Sequence, residues 1–315
     1  MKKKYLITGG AGFIGSHLIS SIINKADKVI VLDNLLTGSK KNIEKFIKLE
    51  NFEFQLHDIQ NHYETSEKVD YVIHLASCAS PVAYTNFPIN TLKSGSIGTI
   101  NALGIARKFD SKFLLSSTSE IYGDPKVSPQ GEDYWGNVNP TGHRSMYDES
   151  KRFAEAATQA YVSEYDLNAS IIRIFNTYGE NMHLSDGRVV TNFIVQALNN
   201  LEITVYGEGN QTRSFSYVED TVNGLLLALN YPKSDIFNIG NDNEMSIKDL
   251  ATLIIELTNS DSKIIYKDLP VDDPMQRKPD LTKSKEILGY QPLIDIENGL
   301  SKTIKWIKNN LNNIT

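Results

Sequence analysis

The stretch Thr8-Gly9-Gly10-Ala11-Gly12-Phe13-Ile14-Gly15 follows the apolar run Tyr5-Leu6-Ile7 and opens an amphipathic pattern that continues to about Ile23. Glycines at 9, 12 and 15 permit a tight turn and close approach of backbone to a pyrophosphate. The N-terminus of the following helix presents unpaired N–H groups to that anion. A second β-branched run, residues 29–33, ends on Asp33. A carboxylate in that position accepts hydrogen bonds from ribose hydroxyls and repels an additional 2′-phosphate. Glycines alone also serve ordinary turns. Strand, loop, helix, strand and acid in this order point to a dinucleotide site that favours NAD over NADP.

Outward from this unit, the first half alternates short buried runs with helical patterns. Residues 4–8, 29–33, 52–57, 71–76 and 113–116 read as strands, and 14–23, 39–48 and 98–109 as helices. A long helix over 146–165 precedes another strand, 170–175. This alternation predicts an α/β protein with a Rossmann-type doubly wound parallel sheet. After Phe175 the pattern loosens into a helix over 189–198, a short strand over 203–206 and a returning strand over 235–239. Amphipathic helices over 246–257 and 300–310 follow, with a charged loop over 270–280 between them. The expected division is an NAD-binding domain, residues 1–175 with a return segment of about 214–240. A smaller C-terminal α/β substrate-binding lobe takes 176–213 and 241–315.

The 315 residues, 40% hydrophobic and 22% charged, suffice for one large or two closely joined globular units. A formal charge of −6 carries no basic excess, which argues against nucleic acid as a partner. Cys78 is the only cysteine, which excludes an intrachain disulfide and fits a reducing compartment. No apolar run approaches the roughly 20 residues that span a membrane. A cytoplasmic protein with no membrane partner and no metal is expected.

Tyr147-Asp148-Glu149-Ser150-Lys151 opens the long helix. Residues four apart project from one helical face, so Tyr147 and Lys151 are neighbours there. Ser145 is expected to cap the helix, with Asp148 at its third position in a capping-box-like arrangement. An ammonium close to a phenol lowers the phenol pKa, which makes a base for a sugar or alcohol hydroxyl. The same spacing recurs at Tyr122 and Lys126, where Gly123 and Pro125 oppose a helix. Ser116 to Gly123 follows a buried strand, so its side chains emerge at the carboxyl edge where ligands of such sheets bind. Thr118 can hydrogen-bond the hydroxyl that Tyr147 deprotonates.

The glycines fall at G-x-x-G-x-x-G spacing. With Tyr147-x-x-x-Lys151, this resembles the extended short-chain dehydrogenase/reductase superfamily, whose members act on nucleotide-sugars. The resemblance implies a catalytic set of Thr118, Tyr147 and Lys151. It implies an NAD pocket with Gly9, Gly12, Phe13, Ile14 and Gly15 at the pyrophosphate. Asp33, Asn34, Thr37 and Gly38 lie on the ribose side, and Asp58 and Ile59 at the adenine. Leu75, Ala76 and Ser77 end a strand beside the pyrophosphate, and Ser116, Thr177, His183 and Arg188 complete the cofactor side.

Thr118-Ser119-Glu120 discriminates within the superfamily. Nucleotide-sugar 4-epimerases typically carry no acid at the Glu120 position, and 4,6-dehydratases carry Thr-Asp-Glu, with the Asp as general acid. Ser119 removes that acid and leaves one carboxyl group suited to proton traffic at C5. The alternative is a Glu paired with a nearby arginine. The combination resembles the UDP-glucuronate decarboxylases (UDP-xylose synthases) from about Tyr5 to Tyr290. Motifs that carry it include His74-Leu-Ala-Ser77, Ser80-Pro81, Glu132-Asp-Tyr-Trp-Gly136, Arg173-Ile-Phe-Asn-Thr177, Asp186-Gly-Arg-Val-Val190, Gln211-Thr-Arg213 and Asp272-Asp-Pro274. His143, Met146 and Cys78 depart from its pattern, none at the chemistry.

The resemblance implies decarboxylation of UDP-glucuronate to UDP-xylose through a 4-keto intermediate, with tightly bound NAD recycled. Glu120 and Arg213 would manage the proton delivered to C5. Lys93, Ser119, Asn176, Tyr206 and Arg277 would contact the UDP-sugar, the last two at the diphosphate. Helix 98–109 and the Ala-rich face of 153–160 could pack in a homodimer. The rival readings are release of the 4-keto pentose with NADH, a 4-epimerase or 4,6-dehydratase, and a non-catalytic NAD or nucleotide-sugar sensor.

Overall fold

A computed structural model of the chain describes residues 2–268 and 276–311. Residues β1 (Lys4–Thr8), β2 (Lys28–Asp33), β3 (Phe52–Leu56), β4 (Tyr71–His74), β5 (Lys112–Thr118) and β6 (Ala169–Ile174) join Asp235–Ile239 in one seven-stranded parallel sheet. Spatial order runs β3-β2-β1-β4-β5-β6 and then Asp235–Ile239. The direction of winding reverses between β1 and β4, and ligands of such sheets bind beyond the strand ends at that switch.

Parallel strands covered on both faces need apolar side chains on both. Leu6, Ile30, Val72, Phe113 and Ile171 pack with Ala102, Leu103, Ala106 and Ala154. On the opposite face Ile7, Val31, Ile73, Leu114 and Ile172 pack with Leu18, Ile19, Val222 and Leu225. This second core continues unbroken into the C-terminal third through Ile194, Ile203, Leu250, Ile254 and Leu300.

Several elements differ from their sequence expectation. The helix expected over 39–48 is one turn, Lys40–Ile43, followed by a 3-10 turn at Glu44–Phe46. The helix expected over 98–109 ends a longer rod made of Pro88–Lys93, a π turn at Ser94–Gly98, and Thr99–Phe109. The last helix begins early, at Ile296, because the Asp295 side chain accepts the Asn298 N–H at 2.8 Å. Helix Val218–Asn230, absent from the sequence reading, packs against Phe13–Ile22. Thr212–Ser214, Glu244–Ser246 and Gln276–Arg277 form a small sheet whose register sets Arg213 beside Arg277. Residues 269–275 of the expected charged loop, with the Asp272-Asp-Pro274 motif, lie outside the described residues. No helix among the described residues is long and apolar enough to cross a membrane.

Candidate active site

A cleft of about 1250 Å³ opens at the carboxyl edge of the sheet and runs from the Gly9–Gly15 loop to Arg213 and Arg277. Its floor at one end is tight backbone. A Cβ on Gly9, at φ +73°, would stand 2.6 Å from the Ala76 nitrogen, and one on Gly15 would stand 2.5 Å from the Gly9 carbonyl oxygen. Helix Phe13–Ile22 has Gly12 as its N-cap and no side chain on its first N–H groups, which leaves them for an anion. Asp33 is buried at the end of β2 and accepts N–H bonds from Ala11 at 3.0 Å and Leu35 at 2.8 Å. Asn34 donates to Asp58 at 3.1 Å. Thr37, Gly38, Ile59, Leu75, Ser77 and Cys78 line the same end. These residues fit a dinucleotide: a bare backbone cradle, a helix start and a fixed ribose-side acid.

The far wall is a loop beyond β6. Thr177 Oγ1 lies 2.9 Å from Thr221 Oγ1, and His183 Nδ1 3.1 Å from Ser185 Oγ. Arg188 pairs with Asp186 at 3.2 Å and donates to the Ala79 carbonyl at 2.8 Å, bridging the two rims. Asn176, Tyr206, Ser116 and Ser119 also line the cleft. Lys93 is exposed at the end of Pro88–Lys93 and is not among the lining residues.

Tyr147 and Lys151 project from helix Ser145–Tyr165 into the cleft. The expected Ser145 cap is corrected. The Tyr147 and Asp148 N–H groups already bond the Arg144 carbonyl, so the helix starts one residue earlier, Arg144 is the N-cap and no side chain caps it. The expected effect of Lys151 on Tyr147 is also corrected. Lys151 Nζ lies 5.8 Å from the Tyr147 ring centroid and donates to the Ser116 carbonyl at 2.7 Å. Burial pushes the Tyr147 phenol well up, against a hydrogen bond to Thr118 that pulls it down. Burial likewise pushes the Lys151 ammonium down to about 8. Tyr84, which the sequence reading passed over, stacks on Tyr147 with centroids 5.2 Å apart. Its signal was Ser80-Pro81: the serine accepts the Ala83 N–H and the proline begins helix Pro81–Asn86.

Glu120 pairs with both Arg277 and Arg144 and is partly buried between them. Burial alone would raise its pKa, but Arg277 and then Arg144 outweigh it and hold the carboxyl below its usual range. Arg277 also donates to the Gly123 carbonyl at 2.9 Å. Its fork is therefore committed to Glu120 and Gly123. Arg144 was not singled out from sequence; three residues ahead of Tyr147, it reaches Glu120 only because the helix entry abuts the turn after β5. The second Tyr-x-x-x-Lys copy is structural: the Tyr122 hydroxyl donates to Asn238 and accepts from Arg173, both at 2.9 Å, while Lys126 is exposed.

Comparison with known proteins agrees with this geometry. Residues 5–240 match the model of the NAD dependent epimerase/dehydratase family. UDP-glucuronic acid decarboxylase 1 of Xenopus tropicalis is 48% identical over 310 residues, 98% of this chain and 73% of that protein. The UDP-glucose 4-epimerase of Thermotoga maritima, solved with UDP-glucose, superposes with a TM-score of 0.90 at 31% identity, over 98% of this chain and 99% of that one. The UDP-glucuronic acid 4-epimerase of Bacillus cereus, solved with UDP-glucuronic acid and NAD, gives 0.86 at 25% identity, over 97% and 99%. Sheet order, glycine cradle and Tyr–Lys helix thus converge with these matches, and the chain belongs to the NAD dependent epimerase/dehydratase family.

Proposed function

We propose that the chain is an NAD-dependent UDP-glucuronate decarboxylase that makes UDP-xylose. One observation carries the reading: a single cleft joins the dinucleotide cradle to Thr118, Tyr147 and Lys151 and to an arginine-held Glu120. Likeness to a UDP-glucuronic acid decarboxylase over 98% of the chain supports it.

Gly9, Gly12, Phe13, Ile14 and Gly15 would hold the pyrophosphate of NAD, Asp33, Asn34, Thr37 and Gly38 a ribose, and Asp58 and Ile59 the adenine. When bound, NAD supplies a hydride acceptor and donor for C4 of the sugar. Burial holds the Tyr147 phenol protonated in the chain alone. The positive charge of oxidised NAD would favour the phenolate that takes the C4 hydroxyl proton and returns it to the same oxygen at the end of the cycle. Thr118 hydrogen-bonds that oxygen throughout. A ketone at C4 lies beta to the carboxylate on C5, so the C5–C6 electron pair can pass into an enolate. Thr118 and Tyr147 face the developing negative charge. Glu120 is ionised between its arginines, which makes it an anchor for Arg277 and Arg144 rather than a proton donor. Arg213, Ser119, Asn176 and Tyr206 would contact the UDP-sugar.

The division proposed for these tasks is 1–175 with 214–240 for NAD, and 176–213 with 241–315 for the sugar nucleotide. Exposed Ile89, Leu92, Ile97, Ile100 and Phe153 on the rod and on the Tyr147 helix support a homodimer. A cytoplasmic location is supported by the single, buried Cys78.

The test offers UDP-glucuronate with NAD far below stoichiometric amount, identifies the sugar by NMR and measures carbon dioxide. UDP-xylose and one carbon dioxide per turnover without accumulating NADH are expected. Product retaining all six sugar carbons would overturn the reading.

A further inference from the structure

We infer that His74 is a positioning residue that keys the dinucleotide cradle to the helical turn bearing Tyr147 and Lys151. Its effect on turnover rests on the decarboxylase reading above. His74 ends β4 where the winding of the sheet reverses, with Thr8 of β1 and Leu115 of β5 as its register partners. It is 3% exposed. Both ring nitrogens are engaged: Nδ1 lies 2.7 Å from Thr8 Oγ1, and Nε2 lies 3.2 Å from Thr99 Oγ1.

The direction of these bonds follows from the protons available. The Thr99 hydroxyl also lies 2.8 Å from the Gly95 carbonyl oxygen, which can only accept. Its one proton goes there, so the contact with His74 requires a hydrogen on Nε2. The Ser94 carbonyl, in the same π turn, accepts from the ring as well. Nδ1 is then bare and receives the Thr8 proton, while Thr8 Oγ1 accepts the Ala76 N–H at 3.3 Å. Burial first, and the Lys151 ammonium second, push the imidazole down to about 3, which keeps the ring neutral and this order of donors undisturbed.

The two arms end on different halves of one site. Thr8 directly precedes Gly9, and Gly9 packs on the Ala76 nitrogen without room for a Cβ, so the first arm sets the floor of the cradle. The second arm sets the depth of the π turn, where Gly95 packs on Ser150, again without room for a Cβ. Ser150 donates to the Tyr147 carbonyl at 2.8 Å and adjoins Lys151. A backbone route runs beside it: Ser116 Oγ donates to the His74 carbonyl at 2.9 Å, and the Ser116 carbonyl accepts from Lys151 Nζ at 2.7 Å. A histidine that only filled the core would have no need of partners on both elements. Shorter amides separate the arms, because Asn places a polar atom near the Nδ1 position and Gln near the Nε2 position.

The test compares His74→Phe, His74→Asn and His74→Gln in the full chain. It measures NAD affinity of cofactor-stripped protein by isothermal titration, kcat and KM for carbon dioxide release at saturating NAD, and NMR of the imidazole nitrogens in the wild type. The wild-type ring should be the Nε2–H form throughout the neutral range. His74→Phe should lower NAD affinity by about 10-fold, the size of one lost hydrogen bond, and kcat by about 10–100-fold at unchanged KM. His74→Gln should recover most of the lost kcat but not the NAD affinity, and His74→Asn the NAD affinity but not kcat. A general loss of stability cannot produce these opposite recoveries. Should the His74 variants not fold, Thr8→Val and Thr99→Val cut the same two arms from outside the ring: the first should weaken NAD and the second lower kcat. An Nδ1–H ring, or affinity and kcat that move together whichever arm is cut, overturns the role and leaves the decarboxylase reading standing. Absence of carbon dioxide from the wild type overturns that reading instead, and the ring tautomer with the NAD affinities then decides on His74.

Discussion

Lys151 Nζ donates to the Ser116 carbonyl oxygen at 2.7 Å, which ties helix Ser145–Tyr165 to the end of β5. The ammonium is thereby fixed between strand and helix rather than on the Tyr147 hydroxyl. Burying such a charge costs stability. The folded pKa of about 8 lies below the ordinary 10.5, so the unfolded chain binds more protons between these values. The penalty is present in full below pH 8 and is relieved as pH rises towards 10.5. Lys151→Met should therefore be more stable than wild type at neutral pH, by about 1–3 kcal/mol in urea titrations. That advantage should shrink in alkali, and turnover should drop by about 100-fold or more.

Glu120 carries the opposite sign. Its carboxyl is depressed by Arg277 and Arg144, so its stabilisation is present above the ordinary value of 4.5 and is lost as pH falls through the lower folded value. Glu120→Ala removes the anion that Arg277 and Arg144 share and should cost about 3–5 kcal/mol. Glu120→Gln should cost less and flatten the acid limb of the stability profile. Urea midpoints at several acid pH values check both.

How much of this was legible in sequence follows from chain distance. Gly9, Gly12, Gly15 and Asp33 belong to one strand–helix–strand unit, and Tyr147 and Lys151 to one helical turn, so local spacing displays them. Glu120 and Arg277 are separated by 157 residues, and their contact depends on the pairing of Gln276–Arg277 with Thr212–Ser214. No periodicity announces such a contact. Asp148 read as a capping residue because its spacing from Ser145 fits; the actual start at Arg144 frees its side chain for the charged cluster. The π turn at Ser94–Gly98 is equally silent, since its residues would pass as an ordinary helix.

The ribose-side acid depends on Gly38. A Cβ there would stand 2.9 Å from Asp33 Oδ1 and 3.2 Å from the Ala11 carbonyl carbon. Gly38→Ala must displace the carboxylate from its bonds to Ala11 and Leu35. NAD affinity should fall about 10-fold, the equivalent of 1.4 kcal/mol, in isothermal titration of cofactor-stripped protein. Asp33→Ser should instead narrow the preference for NAD over NADP, because the repulsion of a 2′-phosphate is removed. Equal affinities for NAD in wild type and Gly38→Ala would show that the acid plays no part in binding.

The π turn packs closely on helix Ser145–Tyr165 at Gly95. A Cβ on Gly95 would lie 2.6 Å from Ser150 Cβ, 2.7 Å from its hydroxyl and 3.0 Å from its carbonyl oxygen. Ser150 in turn donates to the Tyr147 carbonyl at 2.8 Å and precedes Lys151 directly. The contact thus sits on the one turn that fixes both groups, and backbone there has no flexible end to yield. Gly95→Ala should push this turn outward, overpacking the site by about 1–3 kcal/mol. Misplacement of the phenol by a fraction of an ångström should lower kcat by about 10–100-fold, with KM nearly unchanged. Gly104→Ala is the control on the same rod, because nothing stands within 4 Å of its added Cβ in the single chain. Stability, kcat and KM of the two variants together decide: equal kcat in both would mean that Gly95 serves ordinary helix packing and not the placement of Tyr147.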